Sequence, residues 1–260
     1  MSYNSIEYHV QEGLAFIRLN RPDVFNAFNN EQSYELLDAL GAVAEDQDVR
    51  AVVLTGNGKA FCSGQDLKAF SGEEKSTFKE TLEKKYNPII RSMRNMDKPI
   101  IGSINGVAAG AGCSLALACD YIIASDKASF MEAFVHVGLV LDSGSSYFLP
   151  RAVGSKRAFE LATMGSKLSA EKALEWGMIN QVVPHEDLEK ETLSIGTYYA
   201  NGPSYAIGLM KRMLNQSGSS TLNEMLEVET DFQDRVGKSD DHAEGMAAFK
   251  EKRKAKFTGR

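Results

Sequence analysis

The apolar positions of this chain change period several times, and each change marks an element. Residues 5–10 and 14–20 are short apolar runs separated by Gln11, Glu12 and Gly13, which predicts a hairpin. Arg21 and Pro22 end its second strand. Beyond Asn29 or Asn30, either of which can cap a helix, Leu36, Leu37, Leu40, Val43 and Ala44 fall on one face. Residues 49–55 form a buried-strand run, and Gly56-Asn57-Gly58 turns the chain into a second glycine loop that reaches Leu67. The polar stretch 71–76 reads as a mobile surface loop. Over 77–96, Leu82, Tyr86, Ile89, Ile90 and Met93 return at helical spacing, with Pro88 marking a kink or a break. A strand over 100–104, a glycine turn and a small-residue helix over 113–119 follow, then strand-like runs at 121–124 and 129–131. This alternation predicts parallel strands joined by crossover helices. After Pro150 the pattern is almost wholly helical: 156–164, 170–176 capped by Ser169, then helices entered at Pro203, Thr221 and Asp241, interrupted by a short extended run at 179–183. A terminal run of helices on an α/β body suits an assembly surface.

Composition narrows the classes of partner. A chain of 260 residues, 43% hydrophobic and 25% charged, can bury a large core as one domain with an appendage. Its net charge of -6 argues against a general nucleic-acid or anionic-membrane surface. The basic stretch 250–256 reads as a solvated helix end, with a phosphate contact as the alternative. No N-terminal segment resembles a signal peptide, and no apolar run approaches the roughly 20 residues that span a bilayer. A cytoplasmic location with no membrane contact is therefore expected. Cys62, Cys113 and Cys119 are odd in number and lack metal-ligand spacing, so they are expected as reduced thiols in the core, with neither disulfide nor metal.

The candidate chemistry lies in residues 98–150. The strand over 100–104 runs into Asn105-Gly106 and then Gly110-Ala111-Gly112 at a helix start. Glycines there permit positive φ and close approach to main-chain N–H groups, and the first N–H groups of a helix are unpaired. An oxyanion could be stabilised beside Ala111, and a second free N–H could arise near Gln65. The same glycines could equally serve only close strand–helix packing. They do not fit G-x-G-x-x-G. About thirty residues on, Asp142 stands between an apolar run and Ser143-Gly144-Ser145-Ser146. From spacing alone it is either the cap of the next helix, the commoner role, or a base.

The stretches LNRPDVFNAF, GKAFCSGQDL, DKPIIGSINGVAAGAGCSLALACD, GLVLDSGSSYFLPRAVG, LSAEKALEWGMINQVV and a closing FTGR occur in this order. Through them the chain resembles the crotonase, or enoyl-CoA hydratase/isomerase, superfamily along essentially its whole length. Within it, YNPIIRSM, the GVAAGAG turn, the acid of GLVLD and the FTGR ending are most similar to the group of isomerases acting on ring-1,2-epoxyphenylacetyl-CoA. The resemblance implies an α/β crotonase-like spiral of ββα units over 1–195, a C-terminal helical trimerisation region over 196–260, and a homotrimer or hexamer. It implies an oxyanion hole from the backbone N–H groups of Gln65 and Ala111, and an acyl-CoA thioester substrate in which coenzyme A is the carrier and no cofactor is needed. Residues from Cys62, Ser63 and Gly64 to Asp66 and Leu67 would border the CoA, with Arg21, Val24 and Ala27 nearby and Lys256 and Phe257 reaching in from a neighbouring subunit.

Departures from the family's hydratase pattern bear on the reaction. Hydratases use two glutamates to hold and split a water; here those positions are Ser114 and Phe134, and Phe134 would make that wall of the pocket apolar. Asp142 lies where the isomerases place their acid, which reverses the preference for a cap. The implied activity is isomerisation through a thioester enolate, with a raised Asp142 pKa if Phe134 and Leu141 dry the pocket. Rivals are enoyl-CoA hydration, aryl-CoA dehalogenation by an aspartate nucleophile, and a non-catalytic acyl-CoA- or RNA-binding relative. The acidic balance disfavours RNA. Trp176 lies far from Asp142 along the chain, and His136 reads as structural.

Overall fold

A hairpin opens the fold: β1 (Ile6–Gln11) and β2 (Leu14–Leu19) pair antiparallel. The structure is a computed structural model and describes residues 2–70 and 77–260. The polar stretch 71–76, expected as a surface loop, lies outside the described residues. The chain continues through β3 (Ala51–Gly56), β4 (Ala60–Cys62), β5 (Ile100–Ile104), β6 (Val107–Ala109), β7 (Tyr121–Ser125), β8 (Ser129–Met131), β9 (Leu168–Ser169) and β10 (Gln181–Val183).

These strands form two sheets. One has the order β1-β2-β3-β5-β7-β10, and every pairing after the hairpin is parallel. The other has the order β4-β6-β8-β9, parallel except for its last pair. The chain drops one strand into each sheet on successive passes: β3 then β4, β5 then β6, β7 then β8. With a helix between passes, this is the expected spiral of ββα units. Every residue of β3 and β5 is buried, which is why their apolar runs do not alternate.

The helices follow their signals with instructive exceptions. Asn29 caps the helix Asn30–Glu45 by accepting from Gln32 N–H, and Leu36, Ala39, Leu40 and Val43 face the core. Ala44, expected on that face, is exposed. Near Pro88 the segment divides into pieces: helix Phe78–Thr81 passes through a π turn, Leu82–Tyr86, into helix Asn87–Asn95, whose first turn holds Pro88. The helix expected from 156 begins at Ser145, runs through Pro150 and breaks only at Gly154. A helix absent from the pattern, Leu188–Ala200, lies over the first sheet, close enough that a Cβ on Gly196 would sit 3.1 Å from the Leu14 side chain. It crosses 195/196 without interruption. Helices Ser204–Ser217, Leu222–Val236 and Asp240–Glu251 complete the chain. Among the described residues, no helix is long and apolar enough to cross a membrane.

Candidate active site

Two glycine loops at the ends of β4 and β6 meet edge to edge. A Cβ on Gly64 would lie 2.9 Å from the Ala109 carbonyl oxygen and 3.5 Å from the Ala111 nitrogen, so only glycine permits this approach. Gly64 also takes φ +93, and Gly110 takes φ 51 with ψ -125, a conformation closed to other residues. Each loop thereby turns one N–H outward: that of Gln65 just after Gly64, and that of Ala111, the first residue of helix Ala111–Leu117. Neither N–H has a partner among the described residues. The two readings of the glycines are divided between positions. A Cβ on Gly106 would collide with the Lys59 carbonyl and one on Gly112 with that of Cys62, so those two serve packing.

Asp142 faces the same cavity and caps nothing. Helix Ser145–Met164 has Gly144 at its N-cap with no side-chain cap. The Asp142 carboxylate instead accepts from the Ser143 hydroxyl at 2.8 Å, while its main-chain oxygen accepts from Ser145 N–H at 2.9 Å and the Ser114 hydroxyl at 3.1 Å. Ser143 holds a left-handed φ of 50, strain of the kind that a braced functional loop sustains. Ser114, fully buried, also reaches the Gly110 carbonyl and so ties the base loop to the hole loop. Burial raises the Asp142 pKa, and the bond from Ser143 lowers it by less.

A second acid lies close behind. Glu132 is buried, and its Oε1 accepts from the Ser145 hydroxyl at 2.6 Å. Burial raises its pKa to about 6, against the lowering bonds from Ser145 and Cys113, and the Asp142 charge adds to the rise. Glu132 does not line the cavity. Sequence reasoning missed it because a single glutamate between β8 and the short helix Ala133–Val137 resembles any surface acid.

The cavity holds about 350 Å³ and is lined by Gly64, Gln65, Ala111, Tyr86, Phe134 and Asp142, among others. Leu139 lines it where Leu141 was expected. Ser63 and Leu67 also reach it. Arg21 donates to the Ala27 carbonyl and pairs with Asp66 at 3.0 Å, gathering three of the proposed CoA neighbours, none of which lines the cavity itself. Val24 is exposed beside Ser63, whose hydroxyl reaches its carbonyl at 3.4 Å. Cys62 is the correction: its side chain is fully buried in the core, where desolvation pushes the thiol up to about 12, so only its main chain can border a ligand. All three cysteines are buried and unpaired. Lys256 and Phe257 do not line this cavity in their own chain. Lys256 N–H donates to Glu244 at 2.7 Å, and Phe257 borders a larger cavity, about 1070 Å³, beside Arg94, Phe148 and Leu214. His136 is exposed and lines neither.

Two main-chain N–H groups without partners among the described residues, a partly desolvated carboxyl and several apolar side chains thus meet in one cavity. The family model for enoyl-CoA hydratase/isomerase matches residues 9–260. The chain is 41% identical over 255 residues to the 1,2-epoxyphenylacetyl-CoA isomerase of Escherichia coli (strain K12), covering 97% of both chains. It is equally 41% identical, over the full length of both, to a probable enoyl-CoA hydratase of Rhodobacter capsulatus. The crystal structure of the enoyl-CoA hydratase from Bacillus anthracis superposes with a TM-score of 0.92 at 32% identity, covering 99% of this chain and 100% of that one. The chain belongs to the enoyl-CoA hydratase/isomerase family, and its paired-sheet spiral is the crotonase fold.

Proposed function

We propose that this enzyme isomerises acyl-CoA thioesters through an enolate, moving a double bond from the 3- to the 2-position or rearranging 1,2-epoxyphenylacetyl-CoA to its oxepin. The observation that carries the reading is Asp142, half-buried, not used as a helix cap and lining the same cavity as Gln65 and Ala111. The thioester oxygen accepts from those two N–H groups, and Asp142 takes a proton from C2. Charge collects on the oxygen, where one fixed donor contributes about 3 kcal/mol. The same carboxyl returns the proton at C4, so it ends as it began. In the epoxide substrate the same hole and base guide ring rearrangement. Coenzyme A enters along Arg21, Val24, Ala27, Ser63, Gly64, Asp66 and Leu67, and Lys256 and Phe257 close it from a neighbouring subunit of a homotrimer or hexamer.

Isomerisation is favoured over hydration because positions 114 and 134, where hydratases carry glutamates, hold a bracing serine and an apolar wall. The isomerase relative supports this reading; the hydratase relative makes hydration the arm to be measured beside it. Asp142→Asn should lower 3-enoyl-CoA isomerisation about 10²–10⁴-fold, the usual contribution of general base catalysis. Wild type should show negligible hydration of 2-enoyl-CoA. Unchanged turnover in Asp142→Asn, or rapid hydration, overturns the one-base mechanism.

A further inference from the structure

The chamber has a polar spot that the enolate mechanism leaves unused. Thr81 lines the cavity and is only 5% exposed, and its Oγ1 has no hydrogen-bond partner among the described residues. A threonine in a helix commonly satisfies its hydroxyl on the carbonyl four residues back. The Thr163 and Thr230 hydroxyls do so at 2.7 and 2.8 Å, whereas the Thr77 carbonyl receives the Thr81 N–H at 3.0 Å but not the Thr81 hydroxyl. A buried, unmade hydrogen bond is costly, and in an enzyme cavity it points to a partner that arrives with the ligand.

The neighbouring polar groups are already engaged. Tyr86, at the other end of the π turn that Thr81 precedes, donates its hydroxyl hydrogen to Gln65 Oε1. Gln65 Nε2 donates to the Phe28 carbonyl at 3.2 Å, and the Tyr86 ring lies 5.6 Å from that of Phe28. Asp142 accepts from Ser143. Thus, among the described residues lining the cavity, Thr81 offers the uncommitted hydroxyl hydrogen. A π turn carries an extra residue relative to an α turn and is frequent at functional sites. It brings Thr81 and Tyr86 to one chamber whose other walls, Leu82, Phe134 and Leu139, are apolar.

We infer that Thr81 is a specificity-determining residue that donates a hydrogen bond to an acceptor oxygen carried on the acyl group, so that the chamber selects oxygenated acyl-CoA thioesters over hydrocarbon ones. This rests on the acyl-CoA reading of the site and names its substrate class: acyl groups bearing an epoxide, hydroxyl or carbonyl oxygen away from the thioester. Tyr86 has a different part, as a positioning residue that holds the Gln65 side chain beside the hole. A site built to hydrogen-bond a substrate oxygen discriminates against the analogue that lacks it.

Phenylacetyl-CoA and 2-hydroxyphenylacetyl-CoA are suitable stable probes, the second carrying its oxygen on a ring carbon that a 1,2-epoxide would occupy. Their Kd values are measured by calorimetry on wild type, Thr81→Val, Thr81→Ser and Tyr86→Phe. The expected result is a preference of about 5–10-fold for the hydroxylated thioester in wild type, the range of a single neutral hydrogen bond. That ratio should collapse to about one in Thr81→Val, persist in Thr81→Ser, and survive in Tyr86→Phe while both affinities fall together. Thr81→Val should also melt no lower than wild type, since it removes an unpaired hydroxyl. A ratio that Thr81→Val leaves unchanged, or a clear loss of melting temperature, overturns the subsite and leaves the acyl-CoA reading standing. Wild type that binds neither thioester overturns both.

Discussion

Glu132 shows how far one buried side chain can be read. Its pKa rises from the ordinary 4.5 to about 6 because the carboxylate is desolvated and, to a smaller extent, because the Asp142 charge lies nearby. The folded state therefore holds the proton more tightly than the unfolded chain does. Stability from this group is fully present below pH 4.5 and is lost as pH rises through 6, a change of about 2 kcal/mol. Asp142, raised by burial as well, acts in the same direction from the neighbouring loop. Glu132→Gln keeps an acceptor for Ser145 and has no proton to lose. Melting temperatures taken from pH 4 to pH 8 should show the variant gaining on wild type as pH rises. A difference between the two that does not vary with pH would mean that Glu132 is not titrating in the folded protein. Its position behind Asp142 also means that the two charges are felt together, so the variant should ease ionisation of the base.

Elements differ in how plainly they announce themselves, and the reason is physical. β3 and β5 are buried along their whole length and carry unbroken apolar runs that any reading finds. β4 and β6 have three residues each, too short for a period, and their flanking glycines read as turn. Helix Leu188–Ala200 buries Leu188, Thr192, Gly196 and Ala200, a perfect four-residue repeat in which small and polar residues occupy the core positions. Close approach to the sheet demands small residues there, and small residues hide the period. The site divides in the same way. Gln65, Ala111 and Asp142 are marked by glycine turns and motif, and Tyr86 by helical spacing, whereas the polar Thr81, just before the π turn, carries no such signal. Cys62 sits in the right loop with its side chain pointing to the core. The terminal helices are fastened by charge as well as by packing. Lys211, on Ser204–Ser217, reaches Asp120 at 2.6 Å and the carbonyls of Met93 and Lys98, while Arg94 holds Asp120 from the other side at 2.8 Å. Burial lowers the Lys211 pKa despite Asp120. Removing one member of a buried ionic cluster strands the others, so Lys211→Ala should cost about 3 kcal/mol in urea unfolding. A loss under 1 kcal/mol would show that apolar packing alone docks this helix.

At the scale of the molecule, the apolar surface of the C-terminal helices requires an account. Tyr198 is 75% exposed, Leu214 74%, Leu222 75% and Phe249 82%. Single exposed apolar residues are ordinary, but these recur on four consecutive helices, and Tyr198 and Leu214 border one cavity. Phe257 and Leu214 also border the 1070 Å³ cavity. In the proposed homotrimer or hexamer a neighbouring copy would cover this face, and its tail would supply Lys256 and Phe257 to the CoA entrance. Leu214→Glu places a charge in the middle of that face without touching the core, since the side chain is exposed in the single chain. The expected outcome, read by light scattering coupled to size exclusion, is a wild-type particle of three or six copies and a variant shifted to one copy with its helical circular dichroism intact. The monomeric variant should also bind CoA thioesters more weakly, because Lys256 and Phe257 would no longer be supplied in trans. A variant that stays assembled places the contact on another face and removes the reason for assigning those two residues to the site.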